Sequence, residues 1–149
     1  MFRTISVACV AGCALLLLGV TGFAQTTPAR PAAPAPKADA GAVARGEYLA
    51  NSVAMCVQCH STRDERGAII ETQKFRGGAI PFTAPWPGAA WPHQAPNISG
   101  LPGFTDEQVI GLLTEGSMGG GRPAPRAPMP PFRMARADAE AIVAYLRSR

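Results

Sequence analysis

Charged residues are scarce in this sequence and form no continuous runs. Asp, Glu, Lys and Arg make up 16% of the 149 residues, the formal net charge is +4, and no run of Lys or Arg occurs. Because nucleic-acid-binding proteins usually carry a basic patch or stripe, this composition does not indicate a nucleic-acid partner. Internal repeats and evident strand patterns are also lacking, so the sequence does not indicate a repeat protein or a β-sheet protein.

Cysteine occurs only four times, and two of the four fall in a segment that we expect to be removed. Residues 1–24 start with a basic residue, continue as an apolar run and end in small residues, as signal peptides do. We predict cleavage after Ala24, export to the periplasm or beyond, and no stable membrane span in the mature chain. A membrane anchor or lipoprotein processing at Cys13 is disfavoured, because the apolar run contains glycines, lacks a basic flank and continues beyond that cysteine. The remaining pair, Cys56 and Cys59, is too close in sequence to staple a fold.

Proline and glycine are abundant instead, and they divide the mature chain. Residues 25–41 are Pro/Ala-rich without apolar periodicity, which predicts a disordered linker. Residues 42–149 form the one expected domain, with helical spacing over 42–55, 105–116 and 137–149. Long Pro/Gly-rich loops separate these helices, as expected if the chain wraps around a large bound group. The predicted fold class is therefore all-α.

Single residues mark the ends and contacts of these helices. Gly46 lies inside the first helix, where glycine is costly, so it indicates a close helix crossing. Thr105 with Gln108 three residues later forms a capping box, and Gly116 is a C-terminal cap. The predicted buried faces are Val109, Leu112 and Leu113 in the second helix, and Ala139, Ile142, Val143 and Leu146 in the third.

The stretch Cys56-Val-Gln-Cys59-His60 carries the most specific chemistry. Cysteines at i and i+3 lie on one side of a helical turn, where they can bond two neighbouring substituents of a flat macrocycle, and the following histidine can ligate its metal. This is the attachment signature of c-type haem, with His60 as proximal iron ligand. A thioredoxin-like redox pair would need a βαβ pattern. A zinc site with His93 would need Cys59 and His60, adjacent in sequence, on one tetrahedral ion.

Four residues compete for the second axial position on the iron. Met129 lies in a proline-rich loop that could hold its sulfur with little entropy to lose, and we prefer it. Met118 lies among glycines, Met134 is placed to pack in the core, and His93 would make a bis-histidine haem.

Three segments together resemble a class I cytochrome c domain: ARGEYLANSVAMCVQCH, APNISGLPGFTDEQVIGLLTEG and MPPFRMARADAEAIVAYLRS. The resemblance covers about residues 42–149 and is closest to the monohaem c-type domains of periplasmic dehydrogenase cytochrome subunits. It implies one covalent haem c on Cys56 and Cys59, ligated by His60 and Met129.

The same resemblance implies a crossing of the first and last helices, with Gly46 near Tyr145. Residues of the middle loop that could bind the haem propionates are Arg76, Trp86, Trp91 and Asn97.

A haem iron with His and Met ligands has no vacant coordination position, so it exchanges single electrons and transforms no substrate. We therefore expect an electron carrier, not an enzyme, with a dehydrogenase as donor and a cytochrome or oxidase as acceptor. A dedicated relay subunit of an oxidoreductase and a haem sensor with an open sixth site are the alternatives. Between Ser117 and Arg136 the chain has four arginines and no acids, which predicts an acidic docking surface on the partner: Arg122, Arg126, Arg133 and Arg136.

Overall fold

A computed structural model describes residues 39–149, and helix is the main regular secondary structure of this range, as predicted. The elements in chain order are α1 (Ala40–Tyr48), a π-helical turn (Leu49–Val53), α2 (Cys56–Cys59), a 3-10 turn (Glu71–Gln73), β1 (Gly78–Ala79), β2 (Gln94–Ala95), α3 (Asp106–Glu115) and α4 (Arg136–Arg147). The two strands form one short antiparallel pair. Within these residues no helix combines the length and apolar character of a membrane span. The predicted signal peptide, and the predicted linker up to residue 38, lie outside the described residues.

The first predicted helix is divided by a π turn. Asp39 caps α1 by accepting a hydrogen bond from the Gly41 N–H at 3.1 Å. After Tyr48 the helix widens into the π turn, which closes when the Ala54 N–H donates to the Leu49 carbonyl at 2.8 Å. A π turn holds one more residue than an α turn, so it rotates the chain that enters α2.

Gly46 lies where α1 crosses α4, as its place in the helix predicts. A Cβ atom at this position would overlap with the backbone carbonyl of Ala141 and lie 2.8 Å from the Cβ of Tyr145. The Asn51 side chain also donates a hydrogen bond to the Tyr145 hydroxyl at 3.2 Å. The expected contact between Gly46 and Tyr145 is confirmed, and only glycine permits so close an approach of the two backbones.

Helix α3 begins and ends where the sequence predicts. Thr105 and Gln108 form the capping box, with hydrogen bonds of 3.3 and 3.0 Å, and Gly116 ends the helix at a φ of +76°. Its buried residues are Val109, Ile110 and Leu113. Leu112, predicted as buried, is partly exposed to a cavity described below.

Helix α4 is the centre of the core. All four residues of its predicted apolar stripe are buried, and Ala141 and Tyr145 are buried with them. The ring of Phe75, from the middle loop, packs edge-to-face on Tyr145 with centroids 5.6 Å apart. Helix α4 therefore joins α1, α3 and the middle loop.

The middle loop, residues 61–103, is largely irregular as predicted and is attached to the core through Phe75. The Phe75 N–H donates to the Ser61 hydroxyl at 3.1 Å. Its carbonyl accepts from the N–H groups of Ile98 and Ser99 at 2.8 and 2.9 Å. These bonds satisfy buried backbone groups that a long loop would otherwise leave unpaired.

Candidate functional site

A cavity of about 570 Å³ lies among α2, α3, α4 and the loops between them. Its walls are mostly apolar; α3 and α4 contribute Val109, Leu112, Leu113, Ile142 and Leu146. Met55 and Phe82 also line it and are 50% and 53% exposed, so the cavity opens to solvent beside them. Sites for organic cofactors typically have this size and apolar character.

Both cysteines of the C-x-x-C-H motif line this cavity. Met55 precedes α2 in the left-handed conformation, at a φ of 52°, and Cys56 and Cys59 form the ends of the helical turn. Both thiols are free. Burial raises the pKa of the Cys56 thiol to about 11 and also raises the pKa of Cys59, so both are protonated at neutral pH. Two neutral thiols from one helical turn, α2, therefore line the same apolar cavity.

His60 lies directly after α2, on the cavity wall, and is only 8% exposed. Its Nδ1 lies 2.8 Å from the Pro96 carbonyl oxygen. Because a carbonyl only accepts, Nδ1 carries the proton and Nε2 keeps its lone pair. Burial lowers the pKa of the imidazole, against a smaller opposing effect of the Pro96 hydrogen bond, which favours the neutral ring. Metal-ligating histidines commonly donate their other N–H to a backbone carbonyl in this way.

The structure separates the four competitors for the second axial position. Met118 and Met129 line the cavity. Met129 has a proline on each side, and its N–H donates to the Arg126 carbonyl at 3.1 Å. Met134 packs against the hydrophobic core, and His93 is exposed; neither lines the cavity. Of the four candidates for the second axial position, only Met118 and Met129 therefore line the cavity.

None of the four residues considered for the propionates is a lining residue: Arg76, Trp86, Trp91 and Asn97. Trp91 donates its ring N–H to the Phe82 carbonyl at 3.1 Å. The Asn97 side chain accepts from the Ser99 N–H at 2.9 Å. The structure thus does not support the propionate hypothesis. Among residues 39–149, Arg126 alone adds a charged side chain to the cavity wall.

The four arginines of the 117–136 segment have different surroundings. Arg122 donates to the Gly103 carbonyl at 3.0 Å, and Arg136 forms an ion pair with Glu107 at 3.0 Å. Arg136 is therefore largely compensated, whereas Arg126 lies on the cavity rim. Positive charge near the cavity comes from the loop before α4, not from α4 itself.

Comparison with known families covers nearly all of the described chain. Residues 43–149 match the family model Cytochrome c. The chain belongs to the cytochrome c family. Proteins of this family bind haem c, covalently attached and containing iron, and transfer electrons with it; this cytochrome therefore has the all-α cytochrome c fold and haem c as its cofactor. No curated protein matches the chain, so the assignment rests on the family model.

The cavity of this cytochrome fits that cofactor. It combines apolar walls, two thiols on one helical turn, a histidine with a free Nε2 and three thioethers, those of Met55, Met118 and Met129. Over residues 39–149 no group of three or more His, Cys, Asp or Glu side chains could hold a metal ion, which disfavours the zinc alternative. A thioredoxin-like pair is disfavoured as well, because α2 follows a helix instead of a strand.

Two features near the motif were not predicted. One is the Pro96 carbonyl, because backbone acceptors leave no sequence signal. The other is Arg63, whose Nη2 lies 3.1 Å from the Gln58 carbonyl and 2.6 Å from Oε1 of the same residue. The five-residue spacing of this pair follows no helical or strand period.

Proposed function

We propose that this chain is a periplasmic monohaem cytochrome that carries single electrons from a dehydrogenase-type donor to a cytochrome or oxidase. One observation carries the proposal: Cys56, Cys59, His60 and Met129 line one cavity. In this proposal the two cysteines attach the haem by thioether bonds, while the His60 imidazole and the Met129 sulfur ligate the iron. Export is proposed from the signal-peptide pattern of residues 1–24.

The residues of the chain bind, orient and shield the site. Haem c supplies one-electron chemistry at its iron, at a potential that His/Met ligation raises above that of a bis-histidine site. The Pro96 carbonyl holds the His60 ring in one orientation through Nδ1. Prolines on both sides of Met129 restrict its backbone, which favours a fixed sulfur position. The apolar walls from α3 and α4 exclude water.

The distal ligand is tested with Met129→Ala in haem-loaded, exported protein. We expect loss of the weak far-red absorption band that a sulfur–ferric iron bond gives, because alanine has no donor atom. The reduced variant should then bind carbon monoxide readily, since one coordination position is open. Absorption spectra of the oxidised and reduced protein, with and without carbon monoxide, provide the measurement.

Met118→Ala is the matched control for this prediction, because Met118 is the other of the four candidate ligands that lines the cavity. Its spectrum should retain the far-red band. Should Met118→Ala lose the band while Met129→Ala keeps it, the ligand assignment is reversed. Ready carbon monoxide binding to the unaltered protein would instead favour the sensor alternative.

Partner docking is proposed at the basic side of the cavity rim. Arg122, Arg126 and Arg133 have no acidic side chain within ion-pair distance among the described residues. The 117–133 segment contains no acid that could offset them. A partner with an acidic surface would be attracted to this rim, in a small and transient interface.

Electron transfer with such a partner should slow as salt is added. Between roughly 0.01 and 1 M salt the screening length falls from about 30 to 3 Å, so we expect the second-order rate constant to drop about tenfold or more. Stopped-flow absorbance with an acidic electron acceptor protein measures it. Arg126→Gln should flatten the salt dependence, whereas Arg66→Gln, an exposed residue that does not line the cavity, should change it less. A rate that does not depend on salt contradicts the docking proposal.

A second candidate function, a dedicated relay subunit of an oxidoreductase, is favoured by a different surface. Residues 77–105 contain no Asp, Glu, Lys or Arg, and within them Trp86, which does not line the cavity, is 66% exposed. Exposed aromatic side chains in uncharged surroundings resemble the centres of lasting protein interfaces. A large partner that stays bound through purification in high salt would favour this function over that of a free carrier.

A further inference from the structure

A partly buried guanidinium lies next to the motif helix and has no carboxylate partner among residues 39–149. Arg63 donates from Nη1 to the Gly67 carbonyl at 2.7 Å, and from Nη2 to the Gln58 carbonyl and side-chain oxygen at 3.1 and 2.6 Å. Its Nε is buried and has no hydrogen-bond partner among the described atoms. All of its acceptors are uncharged amide oxygens, so they fix its position and leave its charge uncompensated.

Four other cations among residues 39–149 are offset by acids. Ion pairs join Arg45 to Asp138, Lys74 to Glu71, Arg136 to Glu107 and Glu140, and Arg147 to Asp106. Arg63 forms no such pair in the described part of the chain. A partly buried charge without a counter-ion costs folding free energy, so packing alone does not account for it.

Arg63 lies close to the haem-attachment residues both in sequence and in space. Arg63 follows His60 by three residues and is held to Gln58, which lies between Cys56 and Cys59 and lines the cavity. Salt screens partly buried charges only weakly, so the electric field of Arg63 acts on the haem that we propose is attached to Cys59.

We propose that Arg63 raises the reduction potential of the haem through its fixed, uncompensated charge. This inference rests on the proposed attachment of haem to Cys56 and Cys59. An oxidised site has lost one electron to the acceptor protein and is more positive by one charge than a reduced site. A nearby cation disfavours the more positive state and so favours reduction by the donor protein.

The test is a potentiometric titration of the haem-loaded protein, followed by its absorption spectrum. For Arg63→Gln we expect the ratio of reduced to oxidised haem, measured at the wild-type midpoint potential, to be about tenfold lower. For a one-electron couple this corresponds to a midpoint potential lowered by about 59 mV. Arg63→Lys keeps the charge and should stay near wild type. Arg66→Gln removes an exposed charge three residues away and should also stay near wild type.

Three results overturn the inference. They are an unchanged midpoint in Arg63→Gln, an equal shift in Arg66→Gln, and an equal shift in Arg63→Lys, which would assign the effect to hydrogen-bond geometry. If Arg63→Gln yields no folded protein, Arg63→Met keeps an apolar stem of similar length without the charge and should lower the midpoint in the same way. An unshifted Arg63→Met also overturns the inference. Wild-type protein without covalent haem would instead refute the proposed function.

Discussion

Replacing Gly46 by alanine should destabilise this cytochrome by about 3 kcal/mol, the upper part of the range for overpacked cores. The new methyl group would overlap with the Ala141 carbonyl and lie 2.8 Å from the Tyr145 Cβ. A backbone carbonyl inside a helix cannot rotate away, so α1 and α4 must move apart. That separation would also strain the hydrogen bond between Asn51 and Tyr145. Denaturant unfolding of the haem-loaded protein, followed by circular dichroism, measures the change.

The matched control is Gly41→Ala in the same helix. A Cβ at residue 41 would have its nearest contact with the Asp39 carboxylate at 3.6 Å, an ordinary van der Waals distance. Alanine is favoured over glycine inside a helix by up to about 1 kcal/mol, so this variant should be as stable as wild type or more stable. The two substitutions are chemically identical and differ only in their surroundings. If Gly46→Ala is as stable as Gly41→Ala, the crossing does not require glycine.

Local rules predicted the features that depend on a few adjacent residues. The capping box of Thr105 and Gln108 and the end of α3 at Gly116 follow from side chains within hydrogen-bonding reach of the helix ends. The turn that contains Cys56 and Cys59 follows from helical spacing. Gly46 was informative for the opposite reason, because a costly residue in a helix implies a compensating contact elsewhere.

Features that depend on distant parts of the chain were not predictable. The Pro96 carbonyl reaches His60 from 36 residues away, and backbone acceptors are the same in every residue. Arg136 was grouped with the basic loop, whereas the fold brings Glu107 to it from α3. The prolines beside Met129 favour it over Met118 as the proposed distal ligand, yet both residues line the cavity. Sequence patterns thus identify the type of chemistry but do not choose between these two methionines.

Replacing both Cys56 and Cys59 by alanine should abolish covalent haem in exported protein. Each cysteine is expected to supply one thioether bond, and no other cysteine occurs between residues 25 and 149. The apolar cavity and His60 remain in the double variant, so any haem it holds should be removable by acid–acetone extraction. Single variants should keep one bond. Haem that remains with the polypeptide on a denaturing gel gives the direct readout.

Cys13→Ala is the matched control for the cysteine prediction, because it makes the same chemical change in the proposed signal peptide. It should leave covalent haem unaltered, and the intact mass of the exported protein should correspond to cleavage after Ala24. Haem that resists extraction from the double variant would contradict attachment through Cys56 and Cys59. Loss of haem or of export in Cys13→Ala would instead contradict the proposed processing and support a lipid-anchored chain. Because one mass spectrum reports cleavage and haem together, it separates an error in targeting from an error in the site.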